Sequence, residues 1–275
     1  MEECKGSFYL HNGHLTPVDQ FDPSFLSLTH YIYEVFRVIE GKALFLEDHL
    51  QRLHETCRLS KECSGFDISE LYQQTYTLLR ANNMQTGNVK IVLYRSVLKE
   101  TQLLIYTTVH EYPTAEQYKN GVTLSLFKGT RINPNAKVMD VKLRNATNLM
   151  KQQKDVYETL LVDKDNCITE GSRSNVFFIR AGKVITPPLE DVLPGITRKY
   201  IIEVCQALKL QVTEEKVPAR SLVVMEALFI SGTSRKVLPV KGVDDLTYDP
   251  SHPILLQIRK AFDDRIARYL ESVKI

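Results

Sequence analysis

Lysine, carboxylate, hydroxyl and glycine residues lie close together in four segments of the second half of the chain. The segments are 140–145 (DVKLRN), 168–179 (ITEGSRSNVFFI), 193–202 (LPGITRKYII) and 229–240 (FISGTSRKVLPV). Each has an ordinary explanation when taken alone: a single lysine is usually a solvated charge, and Thr197 would simply cap the helix that follows Pro194-Gly195. It is the combination of segments that indicates a site.

The combination suits a cofactor that carries both an aldehyde and a phosphate. A helix that begins after Pro194-Gly195 offers free amides and the positive end of its dipole to a phosphate. The Gly232-Thr233 turn adds further amides and a hydroxyl. The Glu170 carboxylate could keep a ring nitrogen protonated, and a partly desolvated Lys142 amine could form a Schiff base. Pyridoxal 5'-phosphate requires these groups from a protein, and its ring then acts as an electron sink.

These segments resemble those of the class IV aminotransferases, which are fold type IV pyridoxal-phosphate enzymes. That group includes branched-chain aminotransferases, D-amino-acid aminotransferases and aminodeoxychorismate lyases. The likeness runs in order from about residue 8 to about residue 241 and so covers most of the chain. The matching positions are Lys142, Asn145, 169–172, 174–177, Leu193 and 195–198, with 33–35, Arg37, 49–50 and 52–53 in the first half.

The resemblance implies a role for each matching residue. Lys142 would hold the cofactor as a Schiff base and carry the proton between the substrate α-carbon and the cofactor. Glu170 would pair with the ring nitrogen, and Leu193 would pack against the ring face. The residues implied at the cofactor phosphate are Arg52, Ile196, Thr197 and Thr233.

Residues expected to contact substrate include one departure from the family pattern, Arg173, as well as positions that match it. Arg173 stands where a small or acidic residue is usual, and Arg37 shares a strand face with Tyr33. Because the planar fork of arginine suits a carboxylate, we expect Arg37, Arg173 or both to bind a substrate carboxylate. The alternative is that one of them pairs with an acid such as Glu34. The other expected substrate residues are Lys90, on a second predicted strand, and Ser234.

The resemblance implies transfer of an amino group between a small-molecule amino acid, first a branched-chain L-amino acid, and a 2-oxo acid such as 2-oxoglutarate. It also implies a homodimer. The alternatives are a lyase of the aminodeoxychorismate type that releases pyruvate, a D-amino-acid aminotransferase, and a homologue that binds the cofactor without catalysis. The D-specific alternative is weakened because no arginine–histidine pair follows Arg95.

Strands and helices that would position these residues can be read from hydrophobic periodicity. The predicted strands are 33–39, 42–45, 89–94, 103–108, 122–127, 159–162, 175–179, 184–186, 227–231 and 237–240. The predicted helices are 47–60, 68–81, about 146–157, 197–209 and 253–273. A polar stretch at 111–120 suggests a boundary between a smaller N-terminal α/β domain, 1–115, and a larger cofactor-binding domain, 116–275. The expected fold class is α/β in two domains, the second mixed, β-barrel-like and carrying helices.

Composition excludes several other classes of protein. The 275 residues carry a net charge of +2, which gives no bulk attraction to nucleic acid or to membranes. No apolar run reaches the roughly 18 residues that span a bilayer. The five cysteines are scattered, so we expect reduced thiols in a cytoplasmic protein and no metal site.

Overall fold

The computed structural model describes residues 3–61, 67–96 and 98–274. These residues form two compact units. The first comprises Met1–Glu111, Ala136–Val141 and Ala267–Ile275, and the second comprises Tyr112–Asn135 and Lys142–Ile266. From the sequence, Ala136–Val141 and Ala267–Ile275 were not expected to belong to the first unit. Contacts between segments that are distant in the chain produce no local sequence pattern. The domains 1–115 and 116–275 stay a prediction.

An antiparallel sheet with the strand order β2-β1-β6-β5-β3-β4 forms the centre of the first unit. Helix α1 packs on β3 and on α2, and α2 packs on β1. The predicted strands and helices of this region are confirmed, except that the strand predicted at 42–45 covers only Lys42–Ala43. Strands β1 and β2 were missed. The strands are β1 (Cys4–His11), β2 (His14–Pro17), β3 (Ile32–Ile39), β4 (Lys42–Ala43), β5 (Thr86–Arg95) and β6 (Thr101–Thr108), and the helices are α1 (Leu46–Ser60) and α2 (Ile68–Ala81).

Alternation along β3 divides its side chains between two buried layers. Ile32, Phe36 and Val38 join the core that α1 and α2 cover. Tyr33 faces the other way, into a layer rich in aromatic rings, and Val35 packs against the same layer. The predicted shared face of Tyr33, Val35 and Arg37 is consistent with this alternation, since all three occupy odd positions of the strand.

A mixed sheet with the order β12-β11-β10-β14-β15-β7-β8-β9-β13 forms the second unit, and β16 pairs with β15. The β7–β8, β7–β15 and β11–β12 pairs are parallel and the remaining pairs are antiparallel. The strands are β7 (Val122–Lys128), β8 (Glu158–Val162), β9 (Cys167–Gly171), β10 (Asn175–Arg180), β11 (Lys183–Thr186), β12 (Val212–Glu214), β13 (Val217–Pro218), β14 (Ala227–Gly232), β15 (Lys236–Val243) and β16 (Leu246–Thr247).

The remaining helices correct the sequence-based expectation at two places. They are α3 (Ala115–Asn120), α4 (Val141–Lys154), α5 (Ile196–Ala207) and α6 (Pro253–Ser272). The stretch predicted as a polar boundary contains α3, because the Thr114 and Gln117 side chains cap each other's backbone amides. Helix α4 begins at Val141 rather than near Ala146, since its only slightly apolar sequence gave no clear periodicity at the start.

Among the described helices, none combines the length and the apolar character that a membrane crossing requires. Cys4, Cys167 and Cys205 are free and buried, and Cys57 is also buried. Burial raises the pKa of the Cys205 thiol to about 12. Cys63 lies outside the described residues.

Candidate active site

Lys142 is the second residue of α4, and its side chain is exposed. It lies in the first turn of the helix, between the half-buried Val141 and Leu143. The roles predicted for Lys142 stay predictions. The buried residue of α4 is Thr147, whose hydroxyl donates to the carbonyls of Leu143 and Arg144.

Glu170 lies on strand β9, in which every residue is buried. Glu170 is 4% exposed. The amide of Leu193 donates to Glu170 Oε2 at 3.2 Å, and Arg131 Nε lies 3.6 Å from Oε1. Sequence reasoning missed Arg131, which stands in an irregular loop without a pattern that would signal it. The result is a buried carboxylate with cationic and amide neighbours.

The start of helix α5 lies directly after the segment that contacts Glu170. Gly195 is the N-cap and has no side chain to cap the helix, so the alternative that Thr197 is the cap is wrong. A methyl group on Gly195 would collide with Asn175 Oδ1, so a larger residue here must displace the Asn175 side chain. The Asn175 amide nitrogen in turn donates to the carbonyl of Leu193 at 2.9 Å. The first turn of α5, with Ile196 and Thr197, can therefore offer backbone amides to a phosphate.

Pairing of β10 with β14 brings two of the predicted segments together. Asn175 is in register with Ser231, and the carbonyl of Arg173 lies 3.7 Å from the position of a Cβ on Gly232. Thr233 and Ser234 follow in the turn that leads to β15, in which the amide of Arg235 donates to the carbonyl of Gly232 at 3.1 Å. The turn that follows Glu170 and the turn that contains Thr233 are thus neighbours.

Glu158, which sequence reasoning missed, stands between these two turns and is 2% exposed. Its Oε1 accepts from the amide of Arg173 at 2.6 Å and from the hydroxyl of Ser174 at 3.0 Å. Its Oε2 lies 3.1 Å from Arg235 Nε. The Arg173 side chain itself is exposed and donates to Asn148 of α4 at 2.6 Å. Sequence reasoning missed Glu158 because a glutamate at the start of a strand has the same sequence pattern whether it is buried or exposed.

In the first unit, Tyr33, Arg37 and Lys90 lie on the same face of the sheet, because Lys90 is in register with Val35. Lys90 is 7% exposed and pairs with Glu3 at 2.6 Å, a contact that the sequence did not reveal. Its Nζ also lies 5.5 to 6.0 Å from the ring centroids of Phe25, Tyr31, Tyr33 and Tyr106.

Arg52 points to the opposite face of that sheet, where it forms a bidentate pair with the fully buried Glu34 at 2.7 and 2.8 Å. His49 Nδ1 also contacts Glu34, at 3.0 Å. The alternative that Arg37 pairs with Glu34 is therefore wrong: alternation places the two side chains on opposite faces, and α1 supplies the partners of Glu34.

Comparison with models of protein families identifies the family of this chain. The family model described as Amino-transferase class IV matches residues 31–243, which is most of the chain. This chain is a class IV aminotransferase. The predicted membership is thereby confirmed, as is the α/β fold in which an N-terminal sheet precedes a larger mixed one.

Three similar proteins represent the family. The branched-chain-amino-acid aminotransferase of Escherichia coli K12 is 26% identical over 259 residues, covering 85% of this chain and 84% of the relative. The D-alanine aminotransferase of Bacillus licheniformis is 25% identical over 233 residues, covering 81% and 82%. The structure of the T.th. branched-chain amino acid aminotransferase with N-(5'-phosphopyridoxyl)-L-glutamate has a TM-score of 0.87 at 19% identity and covers 97% of this chain and 96% of that one.

Class IV aminotransferases use pyridoxal 5'-phosphate, and the residues of the second unit fit that cofactor. Glu170 is a buried acceptor of the kind a protonated ring nitrogen needs, and the glycine-capped start of α5 suits a phosphate. Within the described ranges, no group of three or more histidine, cysteine, aspartate or glutamate side chains could hold a metal ion.

Proposed function

We propose that this aminotransferase moves an amino group from a branched-chain L-amino acid to a 2-oxo acid such as 2-oxoglutarate. The observation that carries the aminotransferase chemistry is the buried Glu170 carboxylate, hydrogen-bonded to Leu193 just before the glycine-capped start of α5. The choice of substrates is supported by the name of the Escherichia coli relative and by the glutamate derivative in the T.th. structure.

The residues of the second unit take the following proposed roles. When bound, the cofactor supplies an electron sink for the bond that breaks at the substrate α-carbon. Lys142 attaches the cofactor and moves the α-proton. Glu170 accepts a hydrogen bond from the ring nitrogen. Leu193 packs on the ring face, while the phosphate is held by Ile196, Thr197 and Thr233.

The residues of the first unit and the remaining substrate residues also take proposed roles. Arg52 contributes to phosphate binding, as the family resemblance implies. The planar arginine fork supports a carboxylate role for Arg37 and Arg173, and Lys90 supplies a further cation. The residues proposed to line the substrate-binding region are Tyr33 and Ser234. We also propose a cytoplasmic homodimer, which the family resemblance and the free thiols support.

Attachment of the cofactor to Lys142 can be tested directly. Protein made with pyridoxal 5'-phosphate should be coloured, and borohydride followed by peptide mass analysis should place the cofactor on Lys142. Lys142→Ala should lose the adduct and lower the turnover by more than about a thousandfold, because both attachment and proton transfer are removed. Lys164→Ala, at an exposed lysine, should change neither. An adduct on another lysine would contradict the proposal.

The substrate proposal is tested by adding single L- and D-amino acids and following the cofactor spectrum. Conversion of the cofactor to its amine form by L-leucine, L-isoleucine or L-valine, and its return with 2-oxoglutarate, is the expected result. Preference for D-alanine would instead indicate a D-amino-acid aminotransferase. Pyruvate release from aminodeoxychorismate without an amino acceptor would indicate a lyase, and cofactor binding without any conversion would indicate a non-catalytic homologue.

A further inference from the structure

Arg235 has no assigned role in the proposed reaction, although it follows Thr233 and Ser234 directly. Its guanidinium is held from two sides. Its Nε lies 3.1 Å from the buried Glu158 carboxylate, and its central carbon lies 5.4 Å from the centroid of the Tyr157 ring. Tyr118 fixes the backbone by donating to the carbonyl of Arg235 at 2.9 Å. The side chain is therefore held in place while 17% of it stays exposed.

The two Nη groups of Arg235 can bind a ligand, because Glu158 contacts the guanidinium at Nε. Glu158 contacts the Nε edge, and neither Nη group makes a hydrogen bond with any residue in the described part of the chain. A guanidinium can present two parallel N–H groups to one carboxylate, which gives both strength and orientation. An arginine that is already ordered also loses less side-chain entropy when it binds a ligand.

Charge near Arg235 also favours an anionic ligand. Glu158 supplies one buried negative charge, whereas Arg173 and Arg235 both extend from the turns that this carboxylate joins. The next cation along the chain, Lys236, is by contrast paired with Asp263 at 2.8 Å. Arg235, unlike Lys236, thus stands beside the turn that contains Thr233 with a single buried carboxylate as its ionic contact among the described residues.

We propose that Arg235 binds a carboxylate of the substrate, with Glu158 and Tyr157 as the residues that position it. This inference rests on the proposed function, since amino acids and 2-oxo acids are its substrates. It makes Arg235 a specificity-determining residue that selects carboxylates over uncharged amines. Glu158 acts through Arg235 and through the backbone of Arg173, without touching the substrate itself.

The first test is Arg235→Gln in the cofactor-loaded enzyme. The KM for the amino acid, for 2-oxoglutarate or for both should rise by about ten- to a hundredfold, as expected when a charge-assisted pair is lost. The kcat should change less, because the residue positions the substrate and moves no proton. The inhibition constant of glutarate, which lacks the reacting carbonyl, should rise with the KM for 2-oxoglutarate. Arg235→Lys should recover part of the loss.

The matched control is Lys236→Gln, which removes the same charge from the next residue. Its KM values and its glutarate inhibition constant should stay within about twofold of wild type, because Lys236 is engaged by Asp263. If Arg235→Gln leaves the KM of both substrates and the inhibition constant unchanged, the inference is overturned.

A purely structural role of Arg235 is separated by the double variant Glu158→Gln/Arg235→Gln. Either single change leaves Glu158 or Arg235 without its ionic partner and should lower the Tm. The double change removes both charges and should restore much of the Tm lost in the single variants. The raised KM should persist in the double variant, because the carboxylate ligand still lacks its arginine. Recovery of the KM together with the Tm would show that Arg235 acts only through packing.

Failure of this inference can be told apart from failure of the proposed function. If the wild-type protein does not accept an amino group from any amino acid, the proposed function fails and the role of Arg235 in it falls with it. If the wild type turns over and the Arg235 variants retain their KM values, only the present inference fails.

Discussion

Glu34 carries a negative charge in a place that water does not reach. Burial by itself would raise the pKa of this carboxyl, but the charge and hydrogen bonds of Arg52 and the hydrogen bond of His49 outweigh burial and lower it to about 2. Burial also lowers the pKa of His49, and this effect outweighs the hydrogen bond and the charge of Glu34, which would raise it. Two residues of α1 thus tie the helix to β3 through an acid that must stay ionised.

Glu34→Gln should lower the free energy of unfolding by about 3–5 kcal/mol, because it deprives the buried Arg52 guanidinium of its counter-charge. Urea unfolding followed by circular dichroism measures the change. Glu55→Gln is the matched control: Glu55 also pairs with an arginine, Arg58, but both side chains are exposed. The control should have a much smaller effect, and equal effects would show that burial does not matter here.

At the scale of elements, the start of α5 depends on a glycine, Gly195, at the N-cap position. Most helices begin with a residue whose side chain caps the first amides, and α5 begins with Gly195. The backbone of Gly195 has an ordinary φ of −66°, so the requirement for glycine comes from contact and not from conformation. The contact is with Asn175, whose amide holds the carbonyl of Leu193.

Gly195→Ala should therefore disturb both the helix start and cofactor binding. The new methyl group must displace Asn175, which should cost about 1–3 kcal/mol of stability as overpacking. The dissociation constant of pyridoxal 5'-phosphate, measured by titration of the apoenzyme, should rise. Gly232→Ala serves as the control for stability, since the nearest atom to its Cβ is the Arg173 carbonyl oxygen at 3.7 Å. Unchanged cofactor affinity in Gly195→Ala would argue against a phosphate at this helix.

At the scale of the whole molecule, each compact unit contains a carboxylate that is more acidic than usual. Glu34 serves the first unit. In the second, burial would raise the pKa of Asp244, but hydrogen bonds from Ser125, Lys154 and the Leu126 amide outweigh burial and lower it. A carboxyl with a lowered pKa stabilises the folded state above its usual pKa, and this contribution is lost as the pH falls through the lowered value.

We expect the free energy of unfolding to fall as the pH decreases from about 6.5, where His49 begins to bind a proton only in the unfolded chain. The fall should steepen below pH 4.5, the usual pKa of Glu34, and continue to about pH 2. Urea unfolding at a series of pH values tests this. Glu34→Gln should flatten the curve between pH 4.5 and 2, and a stability that stays constant from pH 6.5 to 3 would contradict the expectation.

Local pattern was sufficient for much of the architecture. Helix α2 was predicted at its observed bounds and β3 within one residue, because each has the apolar spacing of one dominant period. Strand β9 was missed, since its buried residues CITEG include a threonine, a glutamate and a glycine, which resemble a turn. The start of α4 was missed for a similar reason, as Lys142, Arg144 and Asn145 show no apolar face.

The sequence by itself determined the family and the expected identity of the cofactor residues, because short motifs around Lys142, Glu170 and Gly195 stand in a recognisable order. Only the tertiary structure decided which side chains contact one another around the site. Glu158 and Arg235 are far apart in the chain and meet because β8, β10 and β14 carry their turns to one place. Side-chain pairing of this kind depends on sheet order and register, and those depend on burial summed over the whole unit.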